Sequence, residues 1–410
     1  MRNYRFQKLT TVYPQFVHQF LAENKDYAEL SYKKLFDRFV KTRYGLSDYY
    51  SKYLNILGNE AEDIFVSIEP LQKTWAEENN VVYHEESWTK DIALAQIEKF
   101  KPEIVYLQDL YLFDFAFRNQ IREMLGEKVL LIGWRAAPTA DFSVFRDLDV
   151  VATCVPNFVK KLEENGAKAL LIPLAHEHSI SKEMEVPREQ DLEFSFIGSL
   201  GYRNGYHSKR YKVIETLLDS TSLEVWGDVP SSVSSNRVKA IYETNRFLKE
   251  SIGLPENILK KVPYFRRGAS WKADPTLLSL KQLHPHRFHE PVFGIEYFQT
   301  LARSKMTFNM HINCAEDYAG NMRLFEATGM GACLLTDWKQ NLSSYFELDT
   351  EIVTYRSVDE CISKVKYLLE HEEERLSIAQ AGQRRVLKEH TWQQRVNQLH
   401  ENIENKLLSI

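Results

Sequence analysis

Asp317-Tyr318-Ala319-Gly320-Asn321-Met322-Arg323-Leu324-Phe325-Glu326-Ala327-Thr328-Gly329-Met330-Gly331 reads as a loop and a helix over 321–330, and the apolar run Ala332–Thr336 behind it reads as a strand. A helix feeding a short, uniformly apolar strand is half of a parallel α/β unit, because a strand covered on both faces loses the polar alternation of a half-exposed one. Asn321 is suited to cap the helix through its side-chain oxygen. The free N–H groups and positive dipole end then face back into the loop. A cation is disfavoured in a first turn, so Arg323 there is explained by a pyrophosphate bound at that end. Glu326 follows at a rise of ~1.5 Å per residue, within reach of a ribose hydroxyl behind the phosphates. The plainer alternative leaves Arg323 and Glu326 facing solvent and the glycines as packing devices.

Working outward, the same alternation covers the chain. Upstream, Leu192–Ile197 is an expected strand, Gly198-Ser199-Leu200-Gly201 its loop and Tyr211–Leu218 a helix; the strand Leu223–Trp226 follows and ends at Gly227-Asp228. The stretch 230–290 lacks a regular pattern, which returns with a helix over 294–302 and the strand Met306–Met310. Downstream, helices are expected at 358–370, 373–389 and from 393 onward. The first part of the chain shows its own series, with strands at 6–12, 63–68, 104–108, 129–133, 149–154 and 169–172, and one long helical region over 27–57. The polar segment 179–190, with no periodic apolar signal, is the expected hinge. At 410 residues the chain exceeds one ordinary core. The expected architecture is α/β: residues 1–180 as one Rossmann-like domain, 190–390 as a second, and 391–410 as a terminal helix that can fold back on the first.

Composition narrows the function. Hydrophobic residues at 44% and charged residues at 27% describe a globular protein. A net charge of −5 from 52 basic and 57 acidic side chains supplies no cationic footprint for nucleic acid or for a membrane surface. Cys154, Cys314, Cys333 and Cys361 are scattered without zinc or disulfide spacing, which suits a reducing cytoplasm. No apolar run approaches the ~20 residues of a membrane span, and the first residues lack a signal-peptide core. A soluble cytoplasmic protein is expected, with peripheral membrane contact left open. In open parallel sheets ligands bind at the carboxyl ends of strands, so the cleft between two such domains is the expected site. The loop Gly198–Gly201 offers backbone N–H groups to an anion, with Arg203, Lys209 and Arg210 as nearby cations. An ordinary strand–helix turn also needs glycine.

The stretch 294–392 resembles the spore-maturation (CgeB-like) glycosyltransferases, relatives of the group-1 transferases of GT-B fold. The resemblance is carried by Asn321-Met322-Arg323-Leu324-Phe325-Glu326-Ala327, by Gly331-Ala332-Cys333-Leu334-Leu335-Thr336-Asp337, and by His390-Thr391-Trp392 with Arg395. Pro291–Tyr297 and Ser195–Ser199 match in kind, and the N-terminal half matches more loosely. The resemblance implies a GT-B fold with two Rossmann-like domains facing a central cleft, a nucleoside-diphosphate sugar on the second domain, a glycan or related acceptor mainly on the first, and no obligatory metal or other cofactor. By position, Gly198, Ser199 and Gly201 with Asn321, Met322, Arg323 and Leu324 would hold the diphosphate, Glu326 the ribose, and Trp226-Gly227 the base. One departure stands out: many retaining relatives carry a second Glu eight residues before the ribose Glu, and here that position is Tyr318.

For catalysis, Arg323 with Arg203 or Lys209 would stabilise the departing diphosphate in a retaining reaction, the stereochemistry favoured here. An inverting reaction would need a base, for which His18, Asp109 and Asp114 stand near strand ends of the first domain. Asp147-Leu148-Asp149 has the spacing of a metal motif from another transferase fold, but it opens a strand and such short matches are common by chance; His176-Glu177-His178 and His284-Pro285-His286 with His289 invite zinc, but neither sits on a helix at i, i+4. Arg266-Arg267 with Tyr264, Phe265 and Trp271 form either a solvated loop or a lip over the cleft. Two other functions fit the same features: a sugar-nucleotide epimerase or hydrolase, which needs no acceptor, and a non-catalytic nucleotide-sugar-binding protein.

Overall fold

The structure, a computed structural model, describes residues 3–137, 139, 141–184, 189–200, 208–227, 236–266, 268–270, 279–311 and 316–407. Two six-stranded sheets, all parallel, divide the chain. The first is built from β1 (Arg5–Thr10), β2 (Glu60–Phe65), β3 (Ile104–Leu107), β4 (Leu130–Trp134), β5 (Val150–Thr153) and β6 (Ala169–Leu171), in the order β2-β1-β3-β4-β5-β6. The second holds β7 (Leu192–Ile197), β8 (Leu223–Trp226), β9 (Phe288–His289), β10 (Ser304–Asn309), β11 (Cys333–Asp337) and β12 (Val353–Tyr355), in the order β9-β8-β7-β10-β11-β12. The inner strands β3 and β5 are short apolar runs because helices cover both faces, and Ile104–Leu107 and Val150–Thr153 are buried at every position.

In each sheet the direction of strand addition reverses once, between β1 and β3 in the first and between β7 and β10 in the second. At such a reversal the connections leave on opposite faces and open a crevice at the carboxyl ends. The chain passes between the two sheets twice, and the passages are tied together. His176 N–H donates to the His390 carbonyl at 3.0 Å, and Trp392 N–H donates to the His176 carbonyl at 3.0 Å. The helix Trp392–Asn402 then packs on the first sheet's side, with Trp392 stacked 5.9 Å from Tyr49 and tilted 5.8 Å from Tyr50. Further contacts join the two halves: Cys154 Sγ–H to the Gly320 carbonyl at 3.0 Å, and Phe293 against Phe16 and Tyr44.

Three expectations are corrected. The helical region over 27–57 breaks into Tyr32–Val40 and Tyr49–Ile56, where Arg43, Gly45 and Ser47 take positive φ. The stretch 230–290 contains the fifteen-residue helix Asn236–Glu250 and the edge strand β9. That helix buries only Ile241 and Asn245 fully, so its apolar stripe is too thin to read as a period. The short strand β12 lay hidden between turns because it is only three residues long.

Candidate functional site

The crevice of the second sheet is built from the loop after β7 upward. Gly198 N–H donates to the Trp226 carbonyl at 2.9 Å, which lays this loop against the end of β8. Gly227 makes that approach possible, since a Cβ there would stand 2.4 Å from the Gly198 carbonyl oxygen. Gly227→Ala is therefore expected to cost about 1–3 kcal/mol of stability, the range of overpacking, read as a lower urea midpoint. A variant with the wild-type midpoint would show that the loop has room to move.

Two guanidinium groups converge beneath this loop. Arg210 donates to the Ser199 carbonyl at 2.9 Å and to the Met310 carbonyl at 2.5 Å, so it bridges the ends of β7 and β10 across the reversal. Arg323 opens the helix Arg323–Gly329, and its Nη2 would lie 3.2 Å from a Cβ built on Gly198. Their Cζ atoms stand 5.8 and 5.6 Å from the same Phe196 ring. Both Nε atoms are buried, with no hydrogen-bond partner among the described residues. Neither guanidinium forms an ion pair with a carboxylate among the described residues. Burial first, and then the charge of Arg323, push Arg210 down to about 10. Two like charges held together with unmade hydrogen bonds are costly in the free protein, and an anion relieves both costs.

Glu326 lies one turn behind Arg323. It is 6% exposed, and its Oε2 accepts from Tyr297 Oη–H at 2.7 Å. Burial pushes its carboxyl up to about 7, against smaller opposing effects of the Tyr297 hydrogen bond and Arg323. At the β8 end, Trp226 stacks on His289 with centroids 4.3 Å apart, and His289 Nε2 pairs with Glu224 at 2.7 Å. Beside this pair a cavity of about 460 Å³ runs between the two halves, lined by Gln15 and Gln19 from the first and by Trp226, His289, Phe293 and Glu296 from the second.

Several sequence expectations change here. The helix begins at Arg323 with Met322 before it and no side-chain cap, and it is only seven residues long. Asn321 is not the cap; its Nδ2 donates to Asn309 Oδ1 at 2.6 Å, tying the loop to the end of β10. Leu324 is buried in the second domain's core and Met322 packs toward the first domain's, so either can offer a ligand only backbone groups. Lys209 is exposed, and the next residue, Arg210, is the one that reaches the loop. Helical spacing carried that signal, because Arg210 shares a face with the buried Ile214, Leu217 and Leu218. Gly201, Arg203, Asp228, Arg267 and Trp271 lie outside the described residues.

On the first sheet, Asp109 follows β3 at the reversal, but its Oδ1 accepts the Tyr111 and Leu112 N–H groups at 3.1 Å and so holds a turn. Asp114 caps the helix Phe115–Leu125 and pairs with Lys90 at 2.8 Å. His18 is exposed on the helix Pro14–Glu23 and lines a cavity of about 470 Å³ with Val12, Leu21, Tyr27 and Glu69. Asp147 and Asp149 are each taken by an arginine, Arg118 and Arg122. Among the described residues no three His, Cys, Asp or Glu side chains are grouped to hold a metal ion. No described helix is long and apolar enough to cross a membrane.

Residues 247–401 match the protein family described as glycosyl transferase-like. No curated protein matches the chain. The fold is similar to a glycosyltransferase from Rickettsia africae, with TM-score 0.55 and 11% identity over 100% of this chain and 99% of that one. It is also similar to sucrose-phosphate synthase from Thermosynechococcus elongatus, with TM-score 0.52 and 11% identity over 100% of both chains. A third similar structure is Anabaena HepE in complex with UDP and glucose, with TM-score 0.54 and 10% identity over 98% of this chain and 100% of that one. Two Rossmann-like parallel sheets facing a cleft make this the GT-B fold.

Proposed function

We propose that this chain, a glycosyltransferase of GT-B fold, takes a sugar from a nucleoside diphosphate held in the second domain's crevice and passes it to a glycan or related acceptor bound mainly by the first domain. The observation that carries the reading is the convergence of Arg210 and Arg323 beneath the Gly198-Ser199 loop, with buried, unpartnered Nε atoms and no carboxylate paired to either among the described residues. That arrangement suits a group that accumulates negative charge as a glycosidic bond to phosphate breaks. Donors fixed before the reaction stabilise such a charge without reorganising. Glu326, oriented by Tyr297, receives a ribose hydroxyl, and the Trp226–His289 stack borders the base. No metal is required in this scheme, because the two guanidinium groups supply the positive charge.

Retention is the stereochemistry we favour. Asp109 and Asp114 are engaged in a turn and a cap, so His18 is left among the three candidate bases. We further propose, from the motif Asn321–Ala327 and its flanks, that the chain is a CgeB-like enzyme and that it works in the cytoplasm, with peripheral membrane contact left open.

The experiment is a thermal-shift and calorimetric screen of UDP, GDP, dTDP, CDP and CMP with their sugars. Stabilisation by one diphosphate family, weakened in Arg210→Ala, supports the donor site. No response to any of them would sink the reading. Consumption of the sugar nucleotide without an acceptor would shift the assignment to a hydrolase or epimerase.

A further inference from the structure

A third group stands beside the paired guanidinium groups. β10 and β11 run in parallel register with Asn309 opposite Thr336, so the residues just past them, His311 and Asp337, meet. Asp337 Oδ1 accepts from the His311 backbone N–H at 3.0 Å and lies 2.7 Å from Nδ1. Its other oxygen is 3.4 Å from Lys339 Nζ. Burial alone would raise the Asp337 carboxyl, but His311 and Lys339 more than reverse this and hold it below the usual carboxylate range. An ionised carboxylate only accepts, so Nδ1 carries a proton. Nε2 is then the other end of the ring, buried on a residue 4% exposed and with no hydrogen-bond partner among the described residues. The preceding residue, Met310, gives its carbonyl to Arg210, and Arg210 feels the charge of the Asp337 carboxylate that holds the His311 ring. The Tyr355 hydroxyl donates to the Asn309 carbonyl at 3.3 Å.

Resting on the donor reading, we propose that His311 Nε2–H is a third donor to the diphosphate, at its sugar-bearing end, with Asp337 as the positioning residue behind it. With Nδ1 donating to Asp337, an Nε2–H donor means an imidazolium, whose charge the Asp337 carboxylate offsets. The strand order sets which phosphate it meets. Trp226 ends β8 and His311 follows β10, two strand positions away. That separation is about 10 Å, the scale that parts a base from the far phosphate of its diphosphate.

The test compares affinities for UDP, GDP, dTDP and CDP with those for the matching monophosphates, by calorimetry on the full chain, in wild type, His311→Phe, His311→Gln and Asp337→Asn, with Tm measured for each. For the base that wild type binds, His311→Phe is expected to lose about tenfold or more in diphosphate affinity, the scale of a charged hydrogen bond. Its monophosphate affinity should move little. His311→Gln, which keeps an N–H donor, should recover part of the loss, and Asp337→Asn should fall between. Wild-type diphosphate affinity in His311→Phe overturns the assignment. So does an equal loss for mono- and diphosphate, which marks a merely structural ring. Should His311→Phe fail to fold, the diphosphate-to-monophosphate ratio in His311→Gln and Asp337→Asn decides in the same way. If wild type binds none of the four diphosphates, the donor reading itself fails and takes this assignment with it.

Discussion

Arg323→Ala is expected to lower kcat by about 10²- to 10³-fold, the range seen when one preorganised donor to a developing negative charge is removed, while KM for the donor changes only a few-fold. The asymmetry follows from where the side chain sits. Arg323 shares the space above Phe196 with Arg210 and lies against the Gly198 loop, with Nε buried and unmade. In the ground state the diphosphate's charge is spread and Arg210 remains to meet it. As the sugar departs, charge gathers on the leaving oxygen, and the loss of one donor is felt there. Arg323→Lys keeps the charge without the planar fork and should restore only part of the rate. Removing one of two adjacent cations also relieves their repulsion, so the variant should not be grossly destabilised. Steady-state kinetics with the donor identified by the screen checks this. An unchanged kcat would remove Arg323 from the chemistry.

Glu326→Gln is expected to raise the stability of the free protein above neutral pH and to weaken donor binding at the same time. Burial lifts the Glu326 carboxyl from 4.5 to about 7, so the folded state holds a proton that the unfolded chain releases. The sign follows from that difference: this group's contribution is fully present below pH ~4.5 and is lost as pH rises through ~7. At ~1.4 kcal/mol per unit, the buried carboxylate costs up to about 3 kcal/mol at pH 8. Gln keeps an oxygen for the Tyr297 hydroxyl and carries no charge, so the variant should be about 1–3 kcal/mol more stable than wild type at pH 8 and nearly equal to it at pH 4.5. If a ribose hydroxyl donates to the carboxylate, the same change should weaken donor binding about 5- to 100-fold, the scale of a charged hydrogen bond. Denaturant titrations of both proteins at the two pH values read the first effect, and calorimetry reads the second. Equal stability across pH would show that the carboxyl is not held as described, and unchanged affinity would free Glu326 from the ribose.

Most strands were legible because burial on both faces leaves apolar runs; β2, Glu-Ala-Glu-Asp-Ile-Phe, is not such a run, and it lies at Glu60–Phe65 rather than 63–68. Leu192–Ile197 and Leu223–Trp226 could be bounded from composition alone, and the structure has the same limits. Helices with a full apolar stripe, such as Val358–Glu370, were equally plain. Where the stripe thins, as in Asn236–Glu250, or where a short strand sits between polar turns, as in β12, local pattern carries too little signal.

At the site the division is sharper. A glycine loop after a strand, an Arg at a helix start and a Glu one turn on are local facts, and the sequence alone determined that this chain carries them in a parallel α/β setting. Partnership is not local. Arg210 rather than Lys209 reaches the loop because of helical phase against the core. Asn321 binds Asn309 instead of capping, and Asp109 spends its carboxylate on a turn. His311 meets Asp337 only because β10 and β11 lie side by side. Only the tertiary structure decided these, because a hydrogen bond depends on distances of a few ångströms between groups that the chain places tens of residues apart.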